Sequence, residues 1–258
     1  MSKVFLVGAG PGDPELLTCK ASRILRSADV VLHDSLVSEE ILRLIPQSAE
    51  RIDVGKRYGY KLLTQQDINS LLVAAAARHQ CVVRLKGGDP LLFGRAAEEI
   101  QALREAAIEF EIVPGISAAF GAAASARVPL TDRALASNVL FTTFSRSLEA
   151  QQFLRSALTA DTTVVVYMPG LHYAEVSNWF QQAGLSPETP CLVVSKATQL
   201  DQVTHLCSVA ALATISPLAA PALLIVGRTV APEMAVPAGV NWLRQSGRDR
   251  ISSDTLIS

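Results

Sequence analysis

Two rhythms run through the chain. Short runs at residues 4–7, 29–33, 51–54, 81–86 and 110–113 read as strands, and the continuous apolar run at 4–7 marks a strand covered on both faces. Between them the spacing turns helical. Leu16, Leu17, Ala21, Ile24 and Leu25 keep that period behind Asp13-Pro14, which reads as an N-cap followed by a first-turn proline. Helices are predicted over 38–45, over 64–78 with Ile68, Leu71, Leu72 and Ala75 on one face, over 93–107, and over the small-residue stretch 116–127. Strand and helix thus alternate through the first half, as in a parallel, helix-covered sheet with right-handed crossovers. The pattern breaks at VPLTDRALAS, residues 128–137, and then resumes. Strands are predicted at 139–143, 163–167, 191–194, 203–206 and 222–226, and helices at 149–158, 172–183 and 209–214. The expected fold class is α/β: two α/β domains, each a largely parallel sheet flanked by helices, with the ligand cleft between them. The expected boundaries are 1–132 and 133–235, followed by a polar, partly flexible tail at 236–258.

Composition narrows the function classes. A length of 258 residues suits two domains, and 49% hydrophobic residues with only 5% aromatics suit small aliphatic side chains packed between helices and parallel strands. A formal net charge of −1 gives no global field for nucleic acid or an anionic membrane, so an anionic ligand must be held by local Lys and Arg. Cys19, Cys81, Cys191 and Cys207 form no CxxC pair, and His33, His79, His172 and His205 form no HExxH. No metal site is expected, and the cysteines read as reduced thiols. The first strand begins at once, without a signal-peptide pattern, and the late apolar stretch PLAAPALLIVG is too short to span a bilayer. A cytoplasmic protein is expected.

Two loops stand out. Gly8-Ala9-Gly10-Pro11-Gly12-Asp13 follows the first strand, but a dinucleotide fingerprint requires a third glycine where Asp13 stands, and Pro11 removes one N–H from the turn. A carboxylate there competes with a phosphate for the same backbone donors. Gly87-Gly88-Asp89-Pro90 repeats the logic after the strand CVVRLK. Two glycine-walled openings at the carboxyl ends of strands, each closed by an acid, suit a ligand with hydroxyls and positive charge better than one with phosphates. The plainer alternative is a pair of good strand-to-helix turns.

GAGPGDPELLT, VGKR at 54–57, QQDIN at 65–69, VVRLKGGDPLLFGR followed by Glu98-Glu99, VPGISAA, PLTDR and Tyr167-Met168 together resemble the tetrapyrrole methylases, in their uroporphyrinogen-III C-methyltransferase branch. The resemblance covers about residues 3–230, and Asn241-Trp242 resembles the family's C-terminal end. It implies a homodimeric two-domain enzyme with S-adenosylmethionine between the domains. Such an enzyme methylates carbons of the A and B rings of uroporphyrinogen III, yielding precorrin-2 and S-adenosylhomocysteine, for sirohaem, cobalamin or haem d1. On the cofactor side it implies Pro11, Gly87, Gly88, Asp89, Leu92, Ser117, Ala118, Met168, Ala197 and Ala222. It further implies Asp34 and Lys56 as acid and base, and Arg95, Glu98 and Arg133 on the substrate side. Uroporphyrinogen carries many carboxylates, so Arg57, Arg95, Arg127 and Arg133 are candidate clamps. The chain departs from the family pattern at Ser35, Lys61, Ala96-Ala97, Asp132, Phe144-Ser145, Pro169 and Ala197, mostly on the expected substrate side. Those departures leave two alternatives open: a sister methyltransferase with another substrate, and a non-catalytic protein that binds the cofactor or a tetrapyrrole.

Overall fold

The computed structural model describes residues 2–55 and 63–230. The first sheet holds β1 (Lys3–Gly8), β2 (Val30–His33), β3 (Glu50–Asp53), β4 (Cys81–Lys86) and β5 (Phe110–Val113), in the order β3-β2-β4-β1-β5 and parallel throughout. Its inner strands β1, β2 and β4 are largely buried on both sides, because successive side chains serve different layers. Val7, Val31, Val83 and Leu85 meet α1 (Cys19–Arg26) and α2 (Glu39–Leu42) on one face. Val4, Leu6, Val30, Leu32 and Val82 meet α3 (Gln65–Ala76) and α4 (Ala96–Glu105) on the other. The continuous apolar run at 4–7 is the signature of this double cover.

The second sheet holds β6 (Asn138–Thr143), β7 (Thr162–Tyr167), β8 (Pro190–Ser195), β9 (Val203–Ser208) and β10 (Ala222–Val226), in the order β6-β7-β10-β8-β9. Here the expected parallel arrangement needs correction. Only β6 and β7 run parallel; β10 is antiparallel to both β7 and β8, and β8 is antiparallel to β9. The short loop 196–202 joins neighbouring strands, and a connection that short closes a hairpin, whereas a parallel pair needs a crossover of about a dozen residues or more. One face of this sheet packs on α7 (Tyr173–Gln182) through Val176, Trp179 and Phe180, and on Leu154 of α6 (Leu148–Ala157). The other face packs on the alanines of α5 (Ala118–Ala126). The chain therefore passes from the first sheet's layers to the second's between β5 and α5, ahead of the pattern break at 128–137.

Two local details differ from the sequence pattern. Asp13 caps only a 3-10 turn at Pro14–Leu16; α1 starts at Cys19, where the Thr18 hydroxyl accepts from the Ala21 N–H at 3.1 Å. The helix expected from residue 93 begins at Ala96, because Phe93 and Arg95 both take left-handed backbone at φ 55. Among the described residues no helix is long and apolar enough to cross a membrane.

Candidate active site

β1 and β4 lie side by side, Gly8 opposite Lys86. The helices after them, α1 and α4, cover opposite faces of the sheet. The two exit loops must therefore diverge, and a parallel sheet opens a crevice at such a point. The loops also bind each other. Ala9 N–H donates to the Lys86 carbonyl at 2.7 Å, Gly10 N–H to the Gly88 carbonyl at 3.1 Å, and Gly88 N–H to the Gly10 carbonyl at 2.8 Å. A third loop, after β5, presses against both. A Cβ on Gly8 would lie 2.5 Å from the Gly115 nitrogen, and a Cβ on Gly115 would lie 2.3 Å from the Gly88 oxygen. Glycine is thus required for backbone to meet backbone, not for phosphate binding.

The two loop carboxylates do structural work. Asp89 accepts from Leu91 N–H at 2.8 Å and from Gly115 N–H at 3.0 Å, tying the second loop to the third. Asp13 accepts from Glu15 N–H at 2.9 Å, and its own N–H donates to the Thr198 hydroxyl at 3.1 Å, reaching the second sheet's side of the molecule.

Between the interlocked loops and the second sheet lies a cleft of about 450 Å³, in the range of small-molecule sites. Pro11, Gly87, Gly88, Asp89, Leu92, Ser117, Ala118, Met168, Ala197 and Ala222 all line it, as do Asp34, Ser35 and Arg95. Tyr167, at the end of β7, anchors the far wall. Its oxygen accepts from Ala119 N–H at 3.1 Å and shares a short hydrogen bond with the Ser117 hydroxyl, while its ring meets Phe93 at 5.0 Å. Burial pushes the Tyr167 hydroxyl above the usual range, so it stays protonated. Met168 beside it holds left-handed backbone at φ 51, a conformation that non-glycine residues seldom adopt.

Other candidates lie elsewhere. Glu98 does not line the cleft; it forms an ion pair with Arg95, at 2.8 and 2.7 Å, with both side chains about half exposed. Arg133 is exposed and also away from the cleft lining, as is Arg127. Asp132 accepts from Ala134 and Leu135 N–H groups and so shapes its own turn. Lys56, with Arg57 and Lys61, lies outside the described residues.

At the cleft floor, and running into the core behind it, sits a set of charges to which the sequence pattern assigns no role. Arg84 and Lys86 project from β4 on the face that Val82 begins, and Glu99 rises from α4 to meet them. All three are buried, Glu99 completely. The Arg84 Nε donates to Glu99 at 2.8 Å and its Nη2 to Asp34 at 2.5 Å, while the Lys86 ammonium donates to both Glu99 oxygens at 3.0 Å. The signal was present in CVVRLK, where two charges at alternate positions interrupt an otherwise apolar strand. Among the described residues no group of three or more His, Cys, Asp or Glu is placed to hold a metal ion.

Known proteins resemble the chain in sequence and in fold. Residues 3–213 match the family described as tetrapyrrole (corrin/porphyrin) methylases. A uroporphyrinogen-III C-methyltransferase of Paracoccus denitrificans (strain Pd 1222) is 46% identical over 236 residues, covering 90% of this chain and 82% of that protein. A siroheme synthase of Psychrobacter sp. (strain PRwf-1) is 45% identical over 232 residues, covering 88% of this chain and 47% of that protein, so the chain spans about half of that relative's length. The crystal structure of uroporphyrin-III C-methyl transferase from Thermus thermophilus complexed with S-adenyl homocysteine superposes with a TM-score of 0.78 at 35% identity, over 89% of this chain and 99% of that one. With residues 3–213 matched by the family and a relative 46% identical over 90% of its length, the chain belongs to the tetrapyrrole methylase family.

Proposed function

We propose that this protein is an S-adenosylmethionine-dependent methyltransferase that converts uroporphyrinogen III to precorrin-2. The observation that carries the reading is the cleft at the carboxyl edge of the first sheet, in a chain of this family, with interlocked glycine loops for its wall. Its donor set fits the cofactor. The lining is mostly apolar around Pro11, Leu92, Ala118, Ala197 and Ala222, which suits an adenosyl group. Of the described cations of the lining, Arg84 and Lys86 are buried against Glu99 and only Arg95, shared with Glu98, is exposed, so the lining offers no cluster of cations for a pyrophosphate. Asp89 supplies negative charge beside the wall, which favours a sulfonium.

When bound, S-adenosylmethionine supplies an electrophilic methyl group on that sulfonium. The chain's own contribution is to hold and orient. Gly87 and Gly88 allow close backbone approach, Ser117 and Ala118 at the start of α5 form the opposite wall, and Met168, Ala197 and Ala222 exclude water. A pyrrole carbon of the reduced macrocycle is already nucleophilic, so alignment provides most of the acceleration. Arg95 lines the cleft, and the guanidinium N–H groups that Glu98 leaves unused are suited to one substrate carboxylate. Asp34, at the cleft wall, is proposed to take the proton that leaves after methylation, with Lys56 as the second proton-handling group. A homodimer in the cytoplasm belongs to the same reading, and light scattering on the purified protein tests the dimer.

Anaerobic incubation with S-adenosylmethionine and uroporphyrinogen III tests the function. A dimethylated product by mass spectrometry is the expected result. Tight binding of S-adenosylhomocysteine without any tetrapyrrole product would instead favour a sister methyltransferase, a reading motivated by the surface positions of Glu98 and Arg133.

A further inference from the structure

We infer that Arg84, Glu99 and Lys86 form a buried positioning network that aims the Asp34 carboxylate into the cleft. The inference rests on the proposed methyltransferase reading and extends it to the buried charges behind Asp34. Placing charges in the central strand of a sheet is costly, and an apolar substitute of similar volume is often as stable or more so. Core packing alone therefore gives β4 no reason to carry Arg84 and Lys86. Geometry gives one. The guanidinium is held on every side: Nε on Glu99 at 2.8 Å, Nη1 on the carbonyls of Leu85 and Leu32 at 3.2 and 3.4 Å, and Nη2 on Asp34 at 2.5 Å. Glu99 is held in turn by the Lys86 ammonium on both oxygens. Two cations face two carboxylates, so the set balances.

Of the four, only Asp34 has appreciable exposure. Its side chain is 26% exposed, against 3% for Arg84, 3% for Lys86 and none for Glu99, and it lines the cleft. Arg84 and Lys86 also touch the cleft lining, but nearly all of each side chain is buried, so Asp34 is the group the network presents most openly to the cleft. Burial works against the Arg84 charge, but the carboxylates of Asp34 and Glu99 outweigh it and leave its pKa raised. Burial, with Arg84 close by, lowers that of Lys86. Arg84 is therefore the permanent charge that orients Asp34, and Lys86 compensates Glu99. With the cofactor bound, the substrate carbon would gain the methyl group as the methyl–sulfur bond breaks, the electron pair of that bond staying on sulfur in the departing thioether, and the macrocycle would take up the positive charge. A neighbouring C–H bond then breaks, its electron pair returns to the ring, and the proton passes to Asp34.

The test is a double-mutant cycle on the full chain with uroporphyrinogen III as substrate. Arg84→Lys keeps the buried charge but loses the fork, and Glu99→Gln keeps the shape but loses the charge. Each is made alone and together with Asp34→Asn. The expected result is a kcat lowered by about 10- to 100-fold in each single variant, as misplacement of a reacting group by an ångström produces. KM for S-adenosylmethionine and calorimetric affinity for S-adenosylhomocysteine should stay within about twofold. In the Asp34→Asn background neither change should lower kcat further, since both act through the group already removed. Equal fold-losses in both backgrounds, or loss of cofactor affinity in parallel with kcat, would assign the network a merely structural role and overturn the inference. Normal wild-type turnover with additive losses overturns the inference alone. A wild-type protein that makes no methylated tetrapyrrole overturns the reading of function, and this inference with it.

Discussion

A methyl group on Gly115 would have to occupy a point 2.3 Å from the Gly88 carbonyl oxygen and 2.8 Å from the Gly8 Cα. Backbone on both sides leaves nothing flexible to yield, so the loop after β4 must move. Gly115→Ala is therefore expected to keep the fold at a destabilisation of about 1–3 kcal/mol, the usual range for overpacking. Affinity for S-adenosylhomocysteine should fall at least about tenfold, read by titration calorimetry, because the displaced loop is the proposed cofactor wall. Unchanged affinity would detach that loop from the cofactor. The Arg95–Glu98 pair makes the opposite case. Both side chains are about half exposed, and pairs of that kind contribute about 0–1 kcal/mol. Glu98→Ala should therefore leave the melting temperature and kcat nearly unchanged. Arg95→Ala should raise KM for the tetrapyrrole about tenfold, the loss of one charge-assisted hydrogen bond to a carboxylate. Steady-state kinetics on the two variants separates cleft residue from surface partner. Sequence spacing puts both on one helix face, and only the left-handed turn at Arg95 determines that one of them faces the cleft.

Elements form here where local chemistry and tertiary burial agree. α3 opens with a reciprocal cap: the Thr64 hydroxyl accepts from Asp67 N–H at 3.1 Å, and Asp67 accepts from Thr64 N–H at 2.8 Å. Thr64→Ala should cost about 1 kcal/mol in the midpoint of chemical unfolding. It should not change cofactor affinity, because Gln65 and Ile68 are α3's contribution to the cleft, and the core still holds Ile68 while Asn69 and Glu99 hold the Gln65 amide. Strand positions were legible throughout, since a run such as Ala222–Val226 is apolar for one reason only, cover on both faces. Strand direction was not legible. Ala222–Val226 would carry the same five residues in either direction, and what reverses it is the route by which the chain reaches the gap between β7 and β8. The start of α1 was misread for a related reason. Asp13-Pro14 and Thr18 are both valid caps, and only the 3-10 geometry of Pro14–Leu16 shows that Thr18 carries the helix. The charges of β4 were visible as an anomaly, but their partner Glu99 was masked by its more accessible neighbour Glu98.

At the scale of the whole molecule, the cleft lies where the exit loops of the first sheet meet the second sheet and α5, and contacts between the two sides border it. Pro11 leaves no room for a Cβ on Gly121, which would lie 2.6 Å from it, and the Thr198 methyl closes the same gap. Across the cleft, Phe93 from the first sheet's side meets the Tyr167 ring of the second, and the Tyr167 oxygen binds Ser117 and Ala119 at the start of α5. That one phenol thus links strand β7, the wall residues Ser117 and Ala118, and the loop carrying Arg95. Tyr167→Phe removes only the oxygen. The Ala119 N–H, in a fully buried residue, then lacks its acceptor, at a cost of about 1–3 kcal/mol. The melting temperature should fall by several degrees. Affinity for S-adenosylhomocysteine should weaken about 3- to 10-fold, because the start of α5 is no longer fixed against the sheet across the cleft. Differential scanning calorimetry and isothermal titration on the same preparation read both effects. A variant that melts lower yet binds with unchanged affinity would mean that the alignment of the two sheets is set instead by the Pro11–Gly121–Thr198 contact, and that Tyr167 stabilises the fold without shaping the site.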